Sequence, residues 1–116
     1  GGDLAEAEGL VREALALSGE RPGLLDTLAV VLLERGRPVE ARQVLERAVE
    51  LAPDDDGILE SLADACLALG DADCARHALR EAVAARPASP DRERALADRL
   101  ERLDEDGVAA ARPAAP

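Results

Sequence analysis

His77, the pair Cys66 and Cys74, the aspartates at 54–56 and four scattered hydroxyls are the side chains with which this chain could catalyse a reaction or bind a metal. A zinc centre needs three or four nitrogen, sulfur or carboxylate ligands at matched spacing. His77 stands between Arg76 and Ala78 with no second histidine in the chain, and is expected on a solvated helix face. Ser18, Thr27, Ser61 and Ser89 lie in no nucleophile motif. Ser18 and Ser89 fall at expected helix boundaries, where a capping or turn role accounts for a hydroxyl. The run Ala52-Pro-Asp-Asp-Asp-Gly57 lacks the further ligands and bidentate glutamate of a calcium loop. Aspartates there suit the start of a helix, whose dipole favours negative charge. "GERPGLL", residues 19–25, has neither the lysine nor the spacing of a phosphate loop. No catalytic residue, metal or cofactor is expected, and the chain does not read as an enzyme.

The two cysteines are eight positions apart, which is not the C-x-x-C spacing of a redox motif. Cys66 falls on the apolar stripe of its segment, where a free cysteine acts as a small hydrophobe. Cys74 opens the next segment. Antiparallel packing would bring the sulfurs within range, but a bridge needs a narrow Cα separation and orientation. The pair is read as two free thiols, with the bridge as the alternative.

Composition narrows the partners. The chain carries 25 acidic residues against 14 arginines, a net charge of −11, and no aromatic residue. Such a surface repels phosphate backbones and offers no platform on which bases stack, so nucleic acid is excluded as the expected partner. A protein or peptide with basic and apolar residues suits it better. No apolar run approaches the roughly 20 residues of a membrane span, so no membrane partner is expected. The absence of lysine, asparagine and methionine is read as the bias of a GC-rich, bacterial-like genome. With no initiator methionine the sequence reads as a piece of a longer chain, for which the cytoplasm is the expected compartment.

These side chains sit on a sequence that repeats. "ARQVLERAVELAPDDD" from Ala41 and "ARHALREAVAARPASP" from Ala75 are 34 positions apart, and the same shift carries Leu25, Leu28 and Ala29 onto Leu59, Leu62 and Ala63, and Gly36 onto Gly70. A fixed period of this length marks a stack of small structural units. Each unit reads as two helices. Leu25, Leu28, Ala29 and Leu32 have helical spacing, Gly36 suits the left-handed residue just past a helix end, and Pro38 can open the next helix.

The pattern Leu25-x-x-Leu28-Ala29-x-x-Leu32, Ala41-x-x-x-Leu45-x-x-Ala48, Pro53, repeated by Leu59, Leu62, Ala63, Cys66, Ala75, Leu79, Ala82 and Pro87, resembles the tetratricopeptide repeat. Leu or Cys stands where that family often has an aromatic residue. The resemblance implies an all-α, right-handed superhelical stack of antiparallel helix pairs, a TPR-like α-solenoid of about six helices. Residues 1–19 correspond to the second helix of a preceding repeat, 22–55 and 56–89 to two full repeats, 90–106 to a capping helix ended by Gly107, and 107–116 to a mobile tail.

The resemblance also implies function: a non-catalytic interaction scaffold whose first helices line a concave groove. The positions that match are Asp26, Val30, Leu33 and Glu34, then Glu60, Ser61, Asp64 and Leu67, with Arg94, Asp98 and Glu101 on the cap. Some members clamp a terminal carboxylate with Lys and Asn, neither of which occurs here. An acidic, partly apolar groove of this kind suits a basic and apolar ligand. A second reading is self-association, a homodimer through the stripe Leu10, Val11, Ala14 and Leu15 of the first helix, since an apolar surface that lacks a neighbour seeks one. A third makes the segment an accessory to an enzyme whose chemistry lies elsewhere.

Overall fold

The computed structural model describes residues 2–111, with side-chain surroundings from 3 to 105. Six helices follow one another: α1 (Gly2–Ser18), α2 (Pro22–Glu34), α3 (Pro38–Leu51), α4 (Asp56–Ala68), α5 (Ala72–Ala84) and α6 (Pro90–Ala111). Proline opens α2, α3 and α6, where its missing N–H falls among donors that are unpaired in any first turn. Side chains cap the starts of α4, α5 and also α6. The Asp55 carboxylate accepts from the Ile58 amide at 3.1 Å, Asp71 from the Cys74 amide at 3.0 Å, and Ser89 from the Arg92 amide at 3.1 Å.

The turns inside the two pairs are copies. Gly36 and Gly70 both have φ +74°. The Arg37 amide reaches back to the Leu32 carbonyl, and the Asp71 amide to that of Cys66, both at 2.9 Å. This is the six-to-one bond of a Schellman stop, which glycine permits because it has no Cβ to clash in the left-handed region. After α5 the same region is occupied by a non-glycine, Arg86, at φ +58°.

Helices pack in sequence, α2 on α3, α3 on α4, α4 on α5 and α5 on α6, with α1 against α2 and α2 also beside α4. The core is continuous but falls into two parts. Leu25, Leu28, Ala29, Leu32, Ala41, Leu45, Ala48, Ile58 and Ala65 form the first, joined by Val11 and Leu15 of α1. Leu59, Ala63, Cys66, Ala75, Ala78, Leu79, Ala82 and Leu96 form the second. Ala29 and Ala41, and again Ala63 and Ala75, are fully buried, so small side chains let the paired helices approach.

Ion pairs link one repeat to the next. Glu8 of α1 accepts from Arg12 at 2.7 Å, and from Arg35 at 2.6 Å and Arg37 at 2.9 Å in the α2–α3 turn. Shifted by 34, Glu8 becomes Arg42 and Arg37 becomes Asp71. These face each other at 3.7 Å, so the same junction recurs with its charges exchanged. At the third junction Arg76, the next copy of Arg42, reaches Asp104 of α6 at 3.7 Å.

Two expectations are corrected. Cys66 and Cys74 are not free thiols but are joined in a disulfide, their Cα atoms 5.7 Å apart. The Gly70 turn sets the end of α4 antiparallel to the start of α5, which brings positions 66 and 74 opposite one another; Cys66 remains fully buried all the same. The second correction concerns Gly107, where the sequence predicted the end of the cap. α6 continues to Ala111: an interior glycine costs a helix only about 1 kcal/mol, and the alanines that follow are the best helix formers. Residues 112–116 of the expected tail lie outside the described residues.

Candidate functional site

The first helices of successive repeats, α2 and α4, lie side by side, and α6 extends the row through its arginines. Asp56, Glu60 and Asp64 are four residues apart on α4 and so share one face. Arg92 and Arg99, seven apart on α6, span them. Arg92 Nε donates to Asp56 at 2.8 Å and its Nη2 lies 2.8 Å from Glu60. Arg99 Nη1 donates to Glu60 at 3.0 Å and its Nη2 to Asp64. Asp56 and Glu60 raise the proton affinity of the Arg92 guanidinium further, which keeps this clamp charged at any ordinary pH.

This changes the expected groove. Glu60 and Asp64 share one face of α4 with Ser61 and the half-exposed Leu67, but their charges are already matched from within the chain. The signal was present in the sequence as a four-residue acidic period facing a seven-residue arginine period. It went unread because it joins residues some 36 positions apart, and Arg92 and Arg99 were not among the expected site residues. Leu33 is partly buried, packed against the first part of the core. Glu34, Arg94, Asp98 and Glu101 are exposed.

Asp26 is different. By the 34-residue shift it is the twin of Glu60, yet the residues of α4 that correspond to Arg92 and Arg99 are Ile58 and Ala65. Neither can donate to a carboxylate. Among the described residues the buried Asp26 Oδ1 has no hydrogen-bond partner. Burial pushes the carboxyl above its ordinary range; the Ser61 hydroxyl offsets this in part, while Asp55 and Asp64 add to it. Val30, one turn further along α2, is 41% exposed. Beyond Leu67, a depression of about 270 Å³ is lined by Leu67, Leu79, Arg99, Arg102 and Leu103.

The remaining expected residues are distributed as follows. His77 is solvated and lies 3.0 Å from Glu81. Among the described residues no three His, Cys, Asp or Glu side chains are grouped to hold a metal, and no helix is long and apolar enough to cross a membrane. Of the stripe on α1, Val11 and Leu15 pack into the core, Ala14 is half-buried and Leu10 is exposed.

Comparison with known proteins agrees with this architecture. A tetratricopeptide repeat model matches residues 1–57 and 32–99. None of the curated proteins matches the sequence. Among solved structures, the Sgt2 TPR domain from Aspergillus fumigatus superposes with a TM-score of 0.79 at 22% identity, covering 98% of this chain and 76% of that one. PcrH from Pseudomonas aeruginosa gives 0.75 at 22% identity, over 90% of this chain and 79% of that one. PcrH in complex with the chaperone binding region of PopB gives 0.74 at 22% identity, over 88% and 82%. Six helices in antiparallel pairs, a 34-residue period and a family model spanning most of the sequence have one meaning: the chain belongs to the tetratricopeptide repeat family.

Proposed function

We propose that the chain is a non-catalytic protein-interaction module, and that the face shared by α2 and α4 holds a partner segment through one cationic side chain and an apolar anchor. The observation that carries this is the asymmetry between Asp26 and Glu60. Glu60 accepts from two arginines of the chain itself, whereas Asp26, its twin one repeat earlier, has a buried oxygen with no donor. An unpaired buried acceptor is costly, and rotation of the half-buried Asp26 side chain would present this oxygen to an arginine or lysine of a ligand, which would supply the missing bond as Arg92 and Arg99 do for Glu60. Val30 and the depression beside Leu67 offer apolar footing further along α2 and α4. That a structural neighbour was solved with the chaperone binding region of PopB supports a protein ligand for this fold without naming one here.

Selection of random peptides against the whole chain tests the proposal. Recovered sequences should share an arginine or lysine next to a large apolar residue, and Asp26→Asn should weaken their binding by about tenfold, as loss of a charge-assisted bond implies. Peptides that lack a cation, or that bind the Asp26→Asn chain equally well, would contradict it. Replacing Glu60 or Asp64 is a poorer test, because either change also releases α6.

A further inference from the structure

The depression beside Leu67 corresponds to a filled space one repeat earlier. The 34-residue shift carries its lining of Leu67, Leu79, Arg99, Arg102 and Leu103 back onto Leu33, Leu45, Ala65, Ala68 and Leu69. At that earlier junction Ala65 is fully buried and Leu33 packs against the core. At the later one Arg99 stands in place of Ala65, and its guanidinium is drawn off to Glu60 and Asp64. Leu67 stays 39% exposed although Leu79 is buried, and a depression of about 270 Å³ is left between the helices.

This opening does not depend on where the sequence ends. A helix that packed on α6 as α5 packs on α4 would take Glu93, Ala97 and Leu100, the counterparts of Leu59, Ala63 and Cys66, which are fully buried with residues of α5. Arg99 and Arg102 stand two residues beyond Ala97 and Leu100, so they face away from that side.

Charge selects the occupant. Among the described residues the ion pairs of α6 fall on Arg92, Arg99 and Asp104, whereas Arg102 is exposed and takes part in none. A guanidinium on the rim of an apolar depression complements a carboxylate beside an apolar side chain. Distance ties this spot to Asp26. Leu67 lies seven residues beyond Glu60, the twin of Asp26, which is about 10 Å along a helix, and packed helices stand about 9 Å apart. Extended chain covers the resulting gap of roughly 14 Å with about four residues.

We infer that the partner segment carries a second apolar anchor about four residues from its cation, seated in this depression, with an acidic side chain next to it that pairs with Arg102. The inference rests on the α2–α4 reading for the cation and adds an opposite charge that this reading does not require.

Capped peptides without a free terminal carboxylate test it, each joining Arg-Leu to Leu-Glu through alanine spacers of graded length, in both chain directions. Fluorescence anisotropy against the full chain should show the tightest binding where about four residues separate the arginine from the second leucine. Replacing the peptide's glutamate by glutamine should weaken binding at least about threefold. Arg102→Ala should remove that difference without loss of helicity, since the side chain is exposed. Leu67→Ala and Asp26→Asn should each weaken the glutamate and glutamine peptides alike. Equal binding of the two peptides, a preference for glutamate that survives Arg102→Ala, or binding indifferent to spacing or to Leu67→Ala would overturn the inference, while the cation reading stands wherever Asp26→Asn still weakens binding. If Asp26→Asn changes nothing but the Arg102 coupling holds, the cation reading fails and the acid contact stands. Binding by none of the peptides overturns both.

Discussion

Two carboxylates with opposite environments set the behaviour of single residues. The Arg12 guanidinium, aided by Arg37 and Arg35, holds the Glu8 carboxyl below the ordinary carboxylate range despite its burial. A depressed folded value means stability that is present above the unfolded value and lost as pH falls through the folded one. Glu8→Gln should therefore lower the melting temperature at neutral pH, and the gap from the native chain should close in acid. Asp26 has the reverse sign. Its folded value is raised, chiefly by burial, so its contribution is complete below the unfolded value and is lost as pH rises through the folded one. Asp26→Asn should melt higher than the native chain at pH 7, with the difference vanishing below the carboxylate range. Thermal melts across pH check both. The sequence showed Asp26 as one acid in a row; that one of its oxygens is buried without a donor depends on what α4 places opposite it, which no single helix pattern reveals.

At the scale of elements, starts and stops were the most legible feature. Pro22, Pro38 and Pro90 open helices, and Gly36 and Gly70 close them, as their local chemistry requires. Gly70→Ala should cost about 1–2 kcal/mol in denaturant unfolding, since its φ of +74° forces a Cβ into the left-handed clash. Arg86 has the complementary defect, and Arg86→Gly should stabilise the chain by about 1 kcal/mol. No stretch of sequence marks Arg86 as left-handed: its counterpart one repeat earlier is Ala52, and the turn there is built differently. The same limit applies to Cys66 and Cys74, whose partnership is set by how two helices meet. Gly107 misled for another reason, because a stop signal inside a run of good helix formers is overruled by them.

The whole molecule is a short one-dimensional array, and its stability is shared between neighbours. Nearly all of this was legible, because the 34-residue period fixes which helices pair and which stack. The exchange of charge between Glu8 with Arg37 and Arg42 with Asp71 was not, because sequence similarity registers matches and this junction is preserved by a mismatch. Leu96 closes the second part of the core. Leu96→Ala should cost about 2–5 kcal/mol, and hydrogen exchange should quicken in α5 far more than in α2, whereas a loss spread evenly over all helices would mean a single global unit.

The account turns on where a ligand lies. Chemical-shift mapping of the isotope-labelled chain with a selected cationic peptide asks this directly. The account predicts the largest shifts at Asp26, Val30, Ser61 and Leu67, on the α2–α4 face, with the Asp26 carboxyl falling toward its ordinary range as the cation binds. Shifts confined to the outer surfaces of α3 and α5, with Asp26 unmoved, would contradict it.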